Sequence, residues 1–234
     1  MPPGSLTILP VPGLPEIERA ADLAAMIAEA VELFDDDVVV VTQKVVSKAE
    51  GRMVEIDPGD PAAKRRLAES EAVRVLRRRG DLVITETRHG YVCANSGIDL
   101  SNVAEGRAAL LPEDPDRSAR RIRDGLRART GRRVAVIVSD TFGRAWRRGV
   151  VDVAIGCAGI RGIVDLRGSL DALGRQLVAT EMCLVDEIAG AAELVMGKAS
   201  GVPVAVVRGV DPAALGDGSV AGEVVRPCSE DLFR

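Results

Sequence analysis

Apolar and polar residues recur along the chain in two rhythms, and the switches between them mark the elements. From 18 to 34, Leu23, Met26, Ile27, Ala30, Val31 and Phe34 return every three or four residues, the stripe of a helix that Asp35-Asp36-Asp37 ends. Val38-Val39-Val40-Val41 comes at once after it, too short for a core helix and so rich in β-branching that it predicts a strand buried on both faces. Residues 61–79 start with Pro61 at a first helical position and carry Leu67, Val73, Val75 and Leu76 among arginines, which predicts a solvated helix with one buried side. Leu82–Thr87 and Tyr91–Ala94 read as strands joined by Arg88-His89-Gly90 in a hairpin, and Asn95–Asn102 as a polar loop. Asp114-Pro115-Asp116 opens another helix that ends near Gly131, and Val134–Val138 makes a second buried strand running into Ser139-Asp140-Thr141. Glycines at 143, 149, 156, 159, 162, 168 and 174 predict loops and short sheet pieces through the middle. Asp186–Lys198 reads as a helix and Pro203–Val207 as a last strong strand. No repeat or linker interrupts this order, so one domain is expected over 1–234.

Composition narrows the fold. Apolar residues make up 47% of 234 residues but aromatics only 2%, so the core must be Val, Leu, Ile and Ala, as in buried strands and the helices that cover them. The expectation is an α/β enzyme, or an α+β one with mixed sheets. With 31 basic against 35 acidic residues the net charge is −4, and nothing in the distribution marks a nucleic-acid surface. Cys93, Cys157, Cys183 and Cys228 are far apart, without a CxxC pair, and read as reduced, small apolar residues. No apolar run approaches the ~20 residues that span a bilayer, and no leader pattern opens the chain, so a cytoplasmic protein without a membrane partner is expected.

Three polar segments come after buried strands, where α/β sheets hold their ligands. The first offers Gln43, Lys44, Ser47 and Lys48, whose lysines suit phosphate or are simply solvated. The second, Asn95–Asn102, gathers amides, hydroxyls and Asp99: hard oxygens that Mg2+ or Mn2+ accepts, or a turn bonded to its own backbone. In the third, Asp140 and Thr141 either hold metal against phosphate or cap the next element, and Arg144, Arg147 and Arg148 beside Trp146 either clamp an anion or face water. No GxxxxGK[ST], GxGxxG after a strand or GxSxG is present, and His89, the sole histidine, is expected to be an exposed turn residue. The chemistry would then rest on carboxylates, metal and phosphate.

Taken together, Gly13-Leu14-Pro15-Glu16-Ile17, Val40–Gly51, Gly97-Ile98-Asp99-Leu100-Ser101-Asn102 and Ser139–Arg147 closely resemble the coenzyme F420-0:L-glutamate ligase family. The resemblance continues through Asp186–Ala189, Gly197-Lys198 and Val206–Gly209 to Arg226-Pro227 and the ending 231–234, and so covers essentially the whole chain. It implies the family's unusual α/β fold as an intertwined homodimer, in the stand-alone form without the C-terminal nitroreductase-like domain of some bacterial members. It also implies a GTP-dependent enzyme that joins L-glutamate to coenzyme F420-0 and extends the tail by γ-linkages, with Mg2+ or Mn2+ and K+. Carried over by motif, Leu14, Pro15, Glu16, Ile17, Gln43, Lys48 and Asn102 resemble the nucleotide-binding set, and Gly218 and Ser219 in the tail are its outlying members. Asp99, Asp140 and Thr141 resemble the metal ligands, with Asp99 and Asp140 catalytic. Two rival activities use the same polar loops: a metal-dependent phosphatase or nucleotide hydrolase, and a non-catalytic binder of a phosphorylated cofactor.

Overall fold

A computed structural model describes residues 4–232; of the ending 231–234, Phe233 and Arg234 lie outside the described residues. The chain is built from β1 (Thr7–Pro10), α1 (Leu23–Ala30), β2 (Val38–Thr42), α2 (Gln43–Ala49), β3 (Met53–Glu55), α3 (Ala63–Ser70), β4 (Ala72–Arg79), β5 (Leu82–Thr87) and β6 (Val92–Ala94). It continues with β7 (Arg107–Ala109), α4 (Pro115–Thr130), β8 (Ala135–Gly143), β9 (Val150–Ala158), β10 (Ile163–Asp165), β11 (Glu181–Cys183), α5 (Leu184–Met196) and β12 (Val204–Arg208). The mixed α/β expectation holds. A central sheet runs β1-β12-β2-β8-β9, in which only β2 and β8 are parallel, and three smaller sheets pair β4-β5-β6, β3-β7 and β10-β11. Among the described residues no helix is long and apolar enough to cross a membrane.

The four valines of β2 and Ala135–Val138 of β8 are fully buried, as the unbroken apolar runs require of strands covered on both faces. Each buried valine contributes on the order of 1.5 kcal/mol of transfer free energy. Helix α4 packs on β8 and β9 and α1 packs on α4, while α5 covers β9, β1 and β12. Helix α4 has the signals its sequence announces: the Asp114 side chain accepts from Arg117 N at 2.8 Å, Pro115 sits in the first turn and Gly131 ends the helix with a left-handed φ of 70°. At Gly156 the start of α4 comes so close to β9 that a Cβ would lie 2.4 Å from Pro115 O.

Four expectations need correction. The helix read over 61–79 stops at Ser70, and Ala72–Arg79 instead forms β4, antiparallel to β5. Val75, paired with Thr85 across the ladder, gains more from the sheet than helix-favouring arginines gain from a helix, so tertiary context overrides propensity. The helix of 18–34 shrinks to Leu23–Ala30, because Asp22 caps it by accepting from Ala25 N and Val31 leaves in an extended conformation. The glycine-spaced middle contains the nine-residue β9, held by its ladder with β8. Two of the three polar loops also belong to regular elements: Gln43–Ala49 is α2, and Ser139-Asp140-Thr141 lies inside β8.

Candidate functional site

Strand β2 ends at Thr42, opposite Ser139, but β8 continues to Gly143 paired with β9 alone. Asp140 and Thr141 therefore stand on a two-stranded ribbon that projects past the parallel pair, immediately after a register shift between Val138 and Ser139, the kind of irregularity that re-aims side chains. Asp99 reaches the same place from a turn in which Asn95, Ser96 and Gly97 all have positive φ (50°, 54° and 71°), and two backbone hydrogen bonds with Ala109 fix it there. Helix α5 ends at Gly197 and delivers Lys198 to the cluster.

These residues share a cavity of ≈340 Å³. Its walls include Leu14, Pro15, Glu16, Ile17, Gln43, Lys48, Asn102, Asp99, Asp140 and Thr141, so ten of the twelve residues named from sequence converge on one site. Gly218 and Ser219 are not among its walls: the Ser219 hydroxyl instead accepts from Gly222 N at 3.1 Å and caps a single π-turn. Gln43 lines the cavity but is itself buried, and its amide donates to Ser47 Oγ at 2.6 Å and to Leu110 O at 2.9 Å, which anchors α2. Lys48 pairs with the exposed Glu16, and Asn102 Nδ2 donates to Lys198 O at 3.4 Å. His89 is not an exposed turn residue: its Nε2 lies 2.9 Å from Pro112 O and its ring stacks on Tyr91, away from this cavity.

Charge is unevenly matched across the cluster. The Lys44 ammonium lies 2.8 Å from Asp99 Oδ2, and Ser101 donates to both Asp99 oxygens, at 2.7 and 3.0 Å. Burial works against the Asp99 charge, yet these hydrogen bonds together hold its carboxyl below the usual range. Asp140 has no such ring of donors. Burial pushes it up to about 7; Thr141 N and Lys198 pull the other way, and the neighbouring Asp152 and Asp99 charges add to the rise. Asp152 is buried and accepts from Ser139 Oγ at 2.9 Å and Thr141 Oγ1 at 2.5 Å, while Lys198 donates to Thr141 Oγ1 from the other side. Glu193 on α5 completes the wall, its carboxyl raised first by burial and then by Asp152.

No motif assigns a site role to Asp152, Glu193 or Lys198, and Asp152 depends on β9, a strand that the glycine pattern hides. The one signal in the sequence is Asp152 itself, a lone carboxylate within the apolar run Val150-Val151-Asp152-Val153-Ala154. Among the described residues no three His, Cys, Asp or Glu side chains form a ready-made metal cluster. The donor set nonetheless suits a hard divalent cation: carboxylates at Asp99 and Asp140, the Thr141 hydroxyl, and negative charge at Asp140 that the protein only partly offsets.

An α/β sheet with an acid–lysine cluster at the carboxyl ends of its parallel strands defines a protein with a candidate site for a small, charged ligand. Comparison makes the class specific. The sequence pattern of F420-0:gamma-glutamyl ligase matches residues 13–209, and the chain belongs to that family. Relatives named coenzyme F420:L-glutamate ligase are 41% identical in Methanothermobacter thermautotrophicus (98% of this chain and 99% of the relative) and 42% identical in Methanopyrus kandleri (98% of each). A third, from Archaeoglobus fulgidus, is 41% identical over 97% of this chain and 96% of its own.

Proposed function

We propose that this chain is an amide-forming ligase that uses GTP to add L-glutamate to coenzyme F420-0 and then extends the glutamate tail through γ-linkages. The observation that carries this reading is the convergence of the segments 14–17, 43–48, 99–102 and 139–141 on one cavity, whose charges match phosphate and metal chemistry. The full-length similarity to enzymes named for this ligation adds to it.

A carboxylate is a poor acyl donor because oxide is a poor leaving group. In the proposed reaction a carboxylate oxygen of the acceptor attacks the γ-phosphorus, the bond to the β-phosphate oxygen breaks, and GDP leaves an acyl phosphate behind. The glutamate amine then attacks the acyl carbon, the C–O bond to phosphate breaks, and the amine releases a proton to solvent. Asp99, Asp140 and Thr141 would hold Mg2+ or Mn2+, the oxygens of ligand phosphates completing the set. When bound, such an ion neutralises charge between triphosphate and carboxylate. Leu14–Ile17, Lys48 and Asn102 would form the nucleotide wall; Lys44 and Lys198 hold the reacting anions, and Gln43 positions α2. Most of the acceleration would come from positioning and electrostatics, which suits a site without a nucleophile–base pair.

A homodimer is part of this reading, because the long hairpin between β10 and β11 exposes Leu170, Leu173 and Val178 at 68%, 78% and 83%, a surface a second copy would cover. The direct test is incubation with coenzyme F420-0, GTP, L-glutamate and Mn2+, followed by mass analysis. Glutamyl additions accompanied by GDP are expected; GTP turnover that ignores glutamate would identify a hydrolase, and binding without turnover a carrier.

A further inference from the structure

A second cavity, of ≈310 Å³, lies against the first and shares four of its residues: Asp99, Asp140, Thr141 and Lys198. Those side chains thus form a partition with space on both sides. The first cavity holds the proposed nucleotide segments; the second has Asn95, Ser101, Phe142, Gly143 and Val150 for walls and none of those segments. Gly143 and Val150 are the two ends of the β8–β9 turn, so the turn at 144–149 sits at the rim of the second cavity. It carries Arg144, Arg147 and Arg148, all exposed and none paired with a described carboxylate.

Phosphoryl transfer places the attacking and leaving oxygens roughly in line on opposite sides of phosphorus. A site with one cavity for the nucleotide therefore needs room for the acceptor across the charged residues that hold the transferred group. We propose that the second cavity is the acceptor subsite: the carboxylate of coenzyme F420-0 reaches the partition through it, and Arg144, Arg147 and Arg148 meet the acceptor's phosphodiester at its rim. Guanidinium forks suit a phosphodiester, and their weak hydration lowers the cost of giving up water to pair with it. This assignment rests on the ligase reading and adds to it where the second substrate binds.

Two variants test it. Gly143→Val adds a side chain at a position where a Cβ meets nothing within 4 Å, so it narrows the second cavity without a clash. The triple change Arg144→Gln, Arg147→Gln, Arg148→Gln removes charge at three exposed positions. Steady-state ligation is measured with coenzyme F420-0 and GTP varied separately. Each variant is expected to raise KM for coenzyme F420-0 at least tenfold and to leave KM for GTP within twofold, with the weaker acceptor binding also seen by calorimetric titration with coenzyme F420-0. An unchanged KM for the acceptor, or an equal rise for both substrates, overturns the inference while wild-type ligation keeps the ligase reading intact. If the wild type forms no glutamyl product, that reading falls and the inference with it.

Discussion

The two ends of strands β2 and β8 carry charge in opposite ways. At the amino end, the fully buried Asp37 carboxylate receives Arg208 Nε and Nη2, both at 2.8 Å, and Phe34 N, also at 2.8 Å; the guanidinium lies 4.3 Å over the Phe34 ring. Every strong demand of that carboxylate is met within the protein. At the carboxyl end, Asp140 has its neighbour Thr141 N and the field of Lys198 against burial and two other carboxylates. A closed pair ties β12 to the turn before β2; an incompletely compensated group stores unfavourable charge that a ligand can relieve. The difference separates an acid that builds the fold from one kept for chemistry.

The sharpest way to break this comparison is Asp140→Asn. Turnover is expected to fall by about 10²–10³-fold, the scale of losing one preorganised electrostatic contact. The same change should stabilise the metal-free protein. The folded carboxyl ionises near 7, above its unfolded value, so the contribution of Asp140 to wild-type stability declines as pH rises from about 4 to 7. Asn carries no such penalty, and at pH 8 in chelator its melting temperature should be higher than that of the wild type, with the difference shrinking as pH falls below 7. Scanning calorimetry with a turnover assay checks both; a variant both active and no more stable removes the contrast.

Asp37→Ala should do the reverse. It leaves Arg208 without its partner, and because that guanidinium is partly exposed the cost is about 2–3 kcal/mol, below that of a fully buried pair. Denaturant titration should show this loss, with kcat at low temperature nearly unchanged. The smallest effect belongs to Lys48→Met, which keeps the apolar stem and removes a charge now paired with Glu16. GTP affinity by calorimetric titration should weaken about threefold to tenfold, and glutamate affinity not at all.

How far the sequence reveals this contrast depends on the element. Val38–Val41 and Val134–Val138 announce themselves by unbroken apolar runs rich in β-branching, and Asp114 and Gly131 bracket α4 by capping chemistry. Strand β9 does not, because the glycines at 149, 156 and 159 in and around it read as breaks although Val150–Ile155 itself suits a strand, and β4 hides under arginines that face outward. The motif residues around Asp99, Asp140 and Thr141 are legible, but their compensation is not. Asp152 becomes a neighbour only through the β8–β9 register, which pairs it with Thr141, and Lys198 only through the end of α5. Asp37 reads as part of a helix stop, with no local sign of an arginine 171 residues away.

Phosphorylation of the acceptor carboxylate is the central step of the proposed reaction, and heavy oxygen reports on it directly. With coenzyme F420-0 labelled in its lactyl carboxylate, and GTP, L-glutamate and Mn2+ supplied, one labelled oxygen should appear in phosphate for each amide formed, with GDP as the other product. Amide formation accompanied by unlabelled phosphate would contradict the acyl phosphate route.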